Sequence, residues 1–252
     1  MKLMCQFESD KIWNVTDYLV ERKMGRHSVC IILPTLNEEL TIGKVIDEIP
    51  RQALEKEGYQ VYVLVVDGNS SDRTRQIAQE NGAAVIIQPR RGKGRQVRMA
   101  LRVIKADFVF MLDSDYTYPA SYIPDMLKIL RQGYPVVIGS RLKGQREKGA
   151  IRPLNVVGNI LLTLMANILY RSRISDVCTG YWGMRGEVIP NLNLSADGFQ
   201  LEAELFTQLA KQGYPIVEVP IYYRRREAET KLSRIKDGIK IGWMLMSRRF
   251  QR

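Results

Sequence analysis

The most informative part of this sequence is the stretch Asp107-Phe-Val-Phe-Met-Leu112, which runs directly into Asp113-Ser114-Asp115. Its apolar run predicts a buried strand, and two carboxylates spaced i, i+2 follow the strand's carboxyl end. Ligands of open α/β sheets bind outside the carboxyl ends of the strands. Two aspartates there form a hard oxygen site that suits Mg²⁺ or Mn²⁺, with further ligands from water and substrate phosphates. An isolated Asp-x-Asp is more often part of a solvated turn, so the metal-site interpretation depends on the motifs that surround it.

Strands and helices alternate on both sides of this stretch. The predicted strands are Val29–Leu33, Val61–Val66, Ala84–Ile87, Asp107–Leu112 and Val136–Ile138, and the predicted helices are Glu38–Glu57, Asp72–Asn81, Gln96–Lys105 and Ser121–Arg131. Such alternation indicates an α/β fold with a mostly parallel central sheet, right-handed crossovers and flanking helices. Because no internal repeat or low-complexity linker divides the chain, we predict one domain of about 140 residues that carries a smaller C-terminal half.

Composition restricts the possible chemistry. The 252 residues carry a formal net charge of +11, which favours anionic partners: nucleic acid, anionic lipid or phosphorylated substrates. Cys5, Cys30 and Cys178 lack zinc spacing and fit a reduced cytoplasmic setting, and the single histidine, His27, makes Ser/His or His-rich metal chemistry improbable. Residues 1–27 hold four acids and no apolar core, which indicates a short appended helix or loose tail rather than a signal peptide.

Two C-terminal segments are predicted to be surface helices. Pro153–Tyr170 contains no charge, but Asn155, Asn159, Thr163 and Asn167 form a polar stripe along one side. A helix at an interface, a helix packed on the domain and a core helix remain open as alternatives, whereas the polar residues argue against a membrane span. Arg234–Arg252 is basic and amphipathic, which fits an anionic membrane surface and, more weakly, nucleic acid.

Three further motifs lie at strand ends or helix starts. Pro34-Thr-Leu-Asn-Glu-Glu39 follows the first strand, Asp67–Thr74 follows the second, and Gly92-Lys93-Gly94 enters a helix. Asp67 can accept a hydrogen bond from a nucleotide base, and the glycine-rich basic loop suits phosphate at a helix N-terminus. Each motif alone also fits an ordinary loop with good turn chemistry or a solvated charge run.

In order and spacing, these motifs resemble glycosyltransferase family 2, whose fold is GT-A. The motifs beyond the acidic pair are Ile138-Gly-Ser-Arg141, Asp176–Trp182, Glu202-Ala-Glu204 and Glu218–Tyr223, and they resemble the polyprenyl-phosphate branch that contains dolichol-phosphate mannose synthase. The resemblance covers residues 28 to 240. It implies a catalytic domain over residues 28–232, with an amphipathic interface helix at 153–171, and a basic C-terminal interfacial helix over 233–252.

This resemblance assigns roles to individual residues. It implies transfer of a hexose, with inversion, from a nucleotide sugar (GDP-mannose, UDP-glucose or UDP-N-acetylglucosamine) to dolichyl or polyprenyl phosphate. Asp113 and Asp115 are implied to hold Mg²⁺ or Mn²⁺, and Glu204 to orient the sugar, although a buried structural acid is an equal alternative for Glu204. The implied donor-binding residues are Pro34, Leu36, Asn37, Glu38, Asp67, Lys93, Ser114, Arg226 and Lys231.

The acceptor is implied to be a phosphate monoester, which needs cations in line with the donor and little help from a base. Ser140, Arg141 and Arg152 are the candidates, with Arg141 at the reaction centre. The expected location is the cytoplasmic face of a membrane, as a peripheral protein. Two departures stand out: Gly68 replaces the second aspartate of the family's second-strand motif, and Arg226–Lys231 lacks the family's glycine.

Three other hypotheses remain. A soluble family 2 transferase that acts on a sugar or glycerate acceptor is the alternative within the enzyme class. A nucleic-acid-binding protein is suggested only by the charge, and the acidic strand end argues against it. An inactive scaffold is disfavoured by the intact Asp113/Asp115 pair and Lys93. The sequence leaves the oligomeric state open.

Overall fold

A computed structural model describes residues 27–227 and 234–250, which form an α/β fold around one sheet. Its strands are β1 (Ser28–Thr35), β2 (Gln60–Asp67), β3 (Ala84–Ile87), β4 (Phe108–Met111), β5 (Val136–Ser140), β6 (Trp182–Arg185) and β7 (Ile216–Pro220). Their order across the sheet is β3-β2-β1-β4-β6-β5-β7. Four strand pairs are parallel, and only the two pairs made by β6 are antiparallel, which confirms the predicted mostly parallel sheet.

The α-helices of the described residues flank this sheet. They are α1 (Ile42–Glu48), α2 (Arg51–Lys56), α3 (Thr74–Glu80), α4 (Lys93–Val103), α5 (Ile123–Arg131), α6 (Pro153–Tyr170), α7 (Leu201–Lys211) and α8 (Arg234–Phe250). The prediction of one helix over Glu38–Glu57 is wrong, because the chain breaks at Pro50. Proline disfavours helical backbone in the residue before it, and Ile49 is extended with ψ 121°.

The β-strands bury side chains on both faces. Cys30 and Ile32 of β1 enter one apolar cluster, and Val29, Ile31 and Leu33 enter the other, as the period-two geometry of a strand requires. Near-continuous apolar runs are typical of strands covered on both sides. The sheet is therefore covered by packed side chains on both faces.

The C-terminal half of the chain extends the same sheet. Strand β6 inserts antiparallel between β4 and β5, and β7 pairs with β5 at the edge. Helices α6, α7 and α8 pack on one another beside it. Tyr170 Oη at the end of α6 donates to the Leu245 carbonyl of α8 at 2.8 Å. The domain boundaries 28–232 and 233–252 remain a prediction, and the predicted N-terminal extension lies outside the described residues except for His27.

Helix α6 has the inverse of the usual orientation. Asn159 and Thr163 are buried, whereas Leu161 and Ile168 are 61% and 69% exposed. The polar stripe therefore faces the protein and the apolar side faces outward, which excludes the core-helix alternative. By length and composition alone, α6 is the one helix of the described residues that could cross a membrane, and only 17% of it is buried.

Gly186 provides a test of the strand arrangement. Its N–H donates to the Asp107 carbonyl at 2.7 Å, at the point where the chain leaves β6 beside the start of β4. A Cβ at this position would overlap the Ala106 carbonyl oxygen, whereas a Cβ at Gly158 in α6 would meet open space.

We expect Gly186→Ala to lower the free energy of unfolding by about 1–3 kcal/mol, the usual cost of overpacking. The control Gly158→Ala should be neutral or stabilise by up to about 1 kcal/mol, because alanine is the better helix former. Urea unfolding followed by circular dichroism measures both. Equal stability of the two variants would contradict the β4–β6 pairing.

Candidate active site

The carboxyl ends of β1, β2 and β4 bring the predicted donor motifs into one place. Ser114 Oγ donates to the Pro34 carbonyl at 3.0 Å, and Thr41 Oγ1 donates to the Ser114 carbonyl at 2.8 Å. Gly68 N–H donates to the Thr35 carbonyl at 2.8 Å. Ser114 therefore connects two loops through its side chain and its backbone.

The acidic pair is held by cations from other parts of the chain. Lys93 Nζ contacts Asp113 Oδ1, and Arg226 Nε lies 3.4 Å from Asp115 Oδ2. Burial raises the pKa of Asp115, and the nearby Asp113 carboxylate adds to this shift while Arg226 opposes it. Thr117 Oγ1 donates to Asp115 at 2.6 Å, which fixes the carboxylate.

Glu202, which has no role among the residues predicted from the sequence, completes this cluster. Its Oε1 lies 2.5 Å from Lys93 Nζ, so the ammonium is held between Glu202 and Asp113. Burial disfavours the ammonium, but the two carboxylates outweigh burial and raise the pKa of Lys93. The lysine therefore stays charged at neutral and alkaline pH.

Glu204 has a different environment. It is fully buried and accepts hydrogen bonds from Ser195 N–H, Ser195 Oγ and Ala196 N–H, the last at 2.7 Å. It also contacts the Arg248 guanidinium of α8. None of these partners belongs to the cluster around Asp113, so the contacts favour the structural alternative that the sequence left open. Positions 202 and 204 lie about 200° apart around a helix, so the two acids point to opposite sides.

The glycines of Gly92-Lys93-Gly94 serve a close approach of protein backbone. A Cβ on Gly92 or Gly94 would overlap the carbonyl oxygens of Asp197 and Ala196, and Gly94 N–H donates to Asp197 O at 3.1 Å. The loop that Glu204 holds thus seats the loop that carries Lys93. Glu204 supports the position of Lys93 from behind, without touching it.

Asp67 and Gly68 are both explained by their neighbours. Asp67 is fully buried and accepts from Ser70 N–H at 2.9 Å and from Arg75 Nη1 at 3.3 Å. A Cβ at Gly68 would lie 3.0 Å from Gln96 Nε2, which donates to the Thr35 and Val66 carbonyls at 2.6 and 2.7 Å. The glutamine fills the space that a side chain at position 68 would need.

The remaining predicted donor residues surround the cluster. Glu38 is buried and accepts from Arg226 Nη2 at 2.7 Å, which places Arg226 between Glu38 and Asp115. Leu36 is half-buried, and the exposed Asn37 accepts from Ser71 N–H at 2.9 Å. Lys231 lies outside the described residues.

Arg141 lies beside the acidic pair, connected to it through Tyr118. The Tyr118 hydroxyl accepts from Gly180 N–H at 2.7 Å, and a Cβ on Gly180 would lie 2.7 Å from Asp113 Oδ2. The Arg141 guanidinium lies 6.0 Å from the Tyr118 ring centroid and 5.5 Å from that of Tyr223. The structure thus brings the predicted acceptor cation and the predicted metal pair into one site.

Arg141 is held by a buried carboxylate. Its Nε and Nη2 each donate to Asp176 at 2.7 Å, and this bidentate pair keeps the guanidinium in a fixed plane. Burial disfavours the charge of Arg141, but Asp176 outweighs burial and holds the pKa of Arg141 above its ordinary value. Ser140 Oγ lies 2.6 Å from Ser175 Oγ. Arg152 is exposed at the start of α6, and among the described residues its side chain makes no hydrogen bond or ion pair with this group.

The carboxylate oxygens of the acidic cluster are the type of ligand that suits a divalent cation. Carboxyl groups from Asp113, Asp115, Glu202 and Glu38 outnumber the cations Lys93 and Arg226, and burial raises the pKa of both Asp115 and Glu202. Within residues 27–227 and 234–250, no three His, Cys, Asp or Glu side chains form a group that could hold a metal ion. A cation at Asp113 and Asp115 would therefore take its other ligands from water or a bound ligand.

Comparison with known proteins identifies the relatives of this chain. Residues 30–192 match the family Glycosyl transferase family 2. The chain is 39% identical over 214 residues to "Glycosyltransferase AglJ" of Haloferax volcanii, covering 84% of this chain and 68% of the relative. It is 38% identical over 216 residues to "Dolichyl-phosphate hexose transferase" of the same organism, covering 85% of this chain and 90% of the relative.

A solved structure shares the fold. The fold is similar to glucosyl-3-phosphoglycerate synthase from Mycobacterium tuberculosis in complex with Mn²⁺, uridine diphosphate and glucosyl-3-phosphoglycerate, with a TM-score of 0.69 and 23% identity. The match covers 94% of this chain and 84% of that chain. At this identity the likeness shows the fold, and it confirms the predicted GT-A architecture.

The different surroundings of Glu202 and Glu204 give a test. In Glu202→Gln, Lys93 keeps Asp113 but loses one carboxylate charge, so its raised pKa should fall toward the ordinary value. More neutral amine is then present at pH 9, and acylation of Lys93 should accelerate by roughly tenfold per unit of pKa. Peptide mass spectrometry measures the labelling rate.

Glu204→Gln is the matched control, because it does not touch Lys93. It should accelerate labelling less than Glu202→Gln does, because no charge in contact with the amine is lost, and it should lower the free energy of unfolding by about 2 kcal/mol or more, since Arg248 and two backbone donors lose their ionic acceptor. Equal labelling rates in both variants would show that Glu202 does not hold Lys93.

Proposed function

Because this chain belongs to glycosyltransferase family 2, we propose that it transfers a hexose from a nucleotide sugar to dolichyl or polyprenyl phosphate. One observation carries the proposal: the acidic pair and the half-buried Arg141 are joined through Tyr118 and Gly180 in one site, on a domain whose α6 turns apolar side chains outward. The dolichyl-phosphate hexose transferase at 38% identity supports the same acceptor class.

The acidic cluster would receive the donor. Asp113 and Asp115 would hold Mg²⁺ or Mn²⁺, which when bound supplies charge neutralisation to the departing nucleoside diphosphate. Lys93, fixed by Asp113 and Glu202, would bind a phosphate oxygen. Arg226 is placed to exchange its contacts with Glu38 and Asp115 for the diphosphate. Mn²⁺ together with uridine diphosphate in the mycobacterial synthase supports this assignment.

The nucleoside would lie along the loops after β1 and β2. Pro34, Leu36, Asn37 and Glu38 line this side of the cluster, and Ser114 connects their loop to the acidic pair. Asp67 is already engaged by Ser70 and Arg75, so a base would meet it at the one carboxylate position that these contacts leave.

The acceptor would bind at Arg141, with Ser140 and Arg152 toward its lipid side. A phosphate monoester is already anionic at neutral pH, so direct displacement at the anomeric carbon, with inversion, needs little general-base help. It needs a cation in line with the donor, and Arg141 would supply this cation, since Asp176 holds two of its three nitrogens and Nη1 takes no part in that pair.

The outward faces of α6 and α8 would rest on the cytoplasmic face of an anionic membrane as a peripheral surface. Trp243 and Phe250 of α8 are 68% and 81% exposed, and the exposed apolar side chains of α6 have comparable values. The exposed apolar side chains of the two helices are Leu154, Val157, Ile160, Leu161, Leu164, Ile168, Ile239, Trp243, Met246 and Phe250. Exposed cations flank them, including Arg152, Arg171, Lys240 and Arg249. Apolar faces edged by cations are typical of interfacial helices.

The second candidate is a soluble transferase that acts on a phosphorylated glycerate. The fold likeness to glucosyl-3-phosphoglycerate synthase favours it, and Arg141 suits either phosphate monoester. The exposed apolar side chains of α6 and α8 favour the lipid.

We expect label from at least one of GDP-mannose, UDP-glucose and UDP-N-acetylglucosamine to enter the lipid phase with dolichyl or undecaprenyl phosphate and Mg²⁺ or Mn²⁺. Excess EDTA should abolish transfer, and Asp115→Asn should reduce turnover by about 10²-fold or more, because metal stabilisation of developing charge is worth several kcal/mol. Lipid extraction and mass spectrometry identify the product.

The same donors with 3-phosphoglycerate form the comparison arm. Transfer to 3-phosphoglycerate without transfer to either lipid phosphate would select the soluble alternative. Full activity in EDTA would remove the metal assignment.

Membrane association predicts a separate result. The double variant Leu161→Asp, Trp243→Ser should weaken binding to vesicles of phosphatidylglycerol and phosphatidylcholine by about tenfold or more, because each replaced side chain loses apolar burial. Flotation measures binding, and rising salt should weaken it further. Tyr134→Asp, an exposed aromatic on another surface, is the control.

Unchanged binding of the double variant would contradict this surface. Resistance of the bound protein to both high salt and alkaline carbonate would indicate instead that Pro153–Tyr170 spans the bilayer.

A further inference from the structure

The inner side of α6 acts as a binding surface for an extended segment of the same chain. Asn167 Nδ2 donates to the Ile174 carbonyl at 2.7 Å, and Asn167 Oδ1 accepts from Ile174 N–H at 3.1 Å. One turn earlier, Thr163 Oγ1 accepts from Val177 N–H at 3.1 Å. The polar stripe therefore holds the segment Ile174–Val177 along the helix at successive turns.

Asn159 makes the contact of this stripe that reaches a charge. Its Nδ2 donates to Asp176 Oδ1 at 2.7 Å, and Thr163 Oγ1 donates to Asn159 Oδ1 at 3.3 Å. Asp176 is 0% exposed, and Asn159 is itself buried. Thr163 orients the asparagine amide, and the amide in turn contacts the carboxylate that holds Arg141.

The hydrogen bonds to Asp176 are complete only with Asn159. Oδ1 accepts from Asn159 and from Arg141 Nη2, and Oδ2 accepts from Arg141 Nε at 2.7 Å and Arg141 N–H at 3.1 Å. An ionised carboxylate has about four lone-pair positions, and these four donors fill them. Asn159 is the only one of the four that comes from outside Arg141, so it fixes the position of the pair within the fold.

We propose that Asn159 is a positioning residue for the acceptor: it fixes Asp176, and through Asp176 it sets the place and plane of the Arg141 guanidinium that receives a phosphate monoester. This inference rests on the proposed function, in which Arg141 binds the acceptor phosphate. It assigns two roles to one helix, because the outer side of α6 meets the lipid while its inner side orients the cation for the lipid's phosphate.

The geometry explains why a neutral amide occupies this position. A carboxylate at 159 would add a second buried negative charge beside Asp176 and compete for Arg141. An apolar side chain would leave one lone pair of a buried carboxylate unsatisfied, and Asp176 would shift to recover a partner. Asparagine completes the carboxylate without withdrawing charge from Arg141.

The test compares alanine variants along the same helix. Asn159→Ala is expected to raise the acceptor KM about tenfold, the usual scale for a lost hydrogen bond to a charged group, with the donor KM unchanged within about twofold. Asn155→Ala, at an exposed position of the same stripe, should change neither KM. Asn167→Ala removes two contacts to the same segment but none to Asp176, so it should lower the unfolding midpoint with a smaller effect on the acceptor KM.

A double-mutant cycle separates positioning from loosening of the segment. Lysine cannot make the bidentate fork of arginine, so Arg141→Lys already breaks the geometry that Asn159 supports. In that background, Asn159→Ala should add less than about twofold to the acceptor KM. A full tenfold addition in that background, or an equal rise from Asn167→Ala, would overturn the positioning role.

Two acceptors, dolichyl phosphate in phosphatidylcholine vesicles and soluble 3-phosphoglycerate, distinguish the two sources of a phosphate monoester. A rise in the acceptor KM of Asn159→Ala, measured with whichever acceptor the wild type uses, supports the positioning of Arg141 by Asn159 through Asp176. An unchanged acceptor KM in Asn159→Ala, with normal transfer by the wild type, would overturn the positioning role of Asn159 and leave the proposed function standing. Absence of wild-type transfer to both acceptors would overturn the proposed function, and this inference with it.

Discussion

The buried ammonium of Lys93 is the contact on which the arrangement of this site depends. It lies between Asp113, at the end of β4, and Glu202, in α7, which joins the two halves of the chain across a large sequence separation. A buried charge is tolerated only when opposite charges and hydrogen bonds compensate it. Any movement of α7 away from the sheet would leave the buried Glu202 without its cation and Lys93 with Asp113 alone, so these ion pairs hold the second half of the fold against the first.

Helix α6 shows a second consequence of compensating buried charge. Asp176 and Arg141 are an ion pair whose remaining acceptor position is filled by Asn159. To present this asparagine and its neighbours Thr163 and Asn167 inward, the helix must turn five of its seven leucines and isoleucines outward. The exposed apolar face is thus a requirement of the polar stripe's role inside the protein, and a lipid surface is the environment in which such a face costs least.

Local patterns were sufficient to predict the fold class but not all its elements. Strands β1 to β5 can be recognised in the sequence as apolar runs between helical patterns. The predicted GT-A architecture and its mostly parallel sheet are confirmed. Strand β6 was missed because Trp182-Gly-Met-Arg185 is short, with only two apolar side chains around a glycine, and its position between β4 and β5 depends on tertiary pairing. The break at Pro50 could have been read from the proline alone. The sequence could not show which of Glu202 and Glu204 contacts Lys93, because both acids are buried on α7 and only the packing shows which side of the helix faces Lys93.

Gly68 illustrates how a departure from a family pattern can be compensated within the fold. Gln96, on α4, donates both amide hydrogens to the carbonyls of Thr35 and Val66, and so it joins the ends of β1 and β2 in place of a longer side chain at position 68. A second aspartate at 68 would need space beside Gln96 that the structure does not leave. Gln96 and Gly68 therefore form a matched pair, and Asp67 is the one carboxylate at the first two positions of that motif. Its contacts with Ser70 and Arg75 then limit how a base can approach, which makes the loop after β2, rather than the acidic pair, the place where nucleotide choice would be decided.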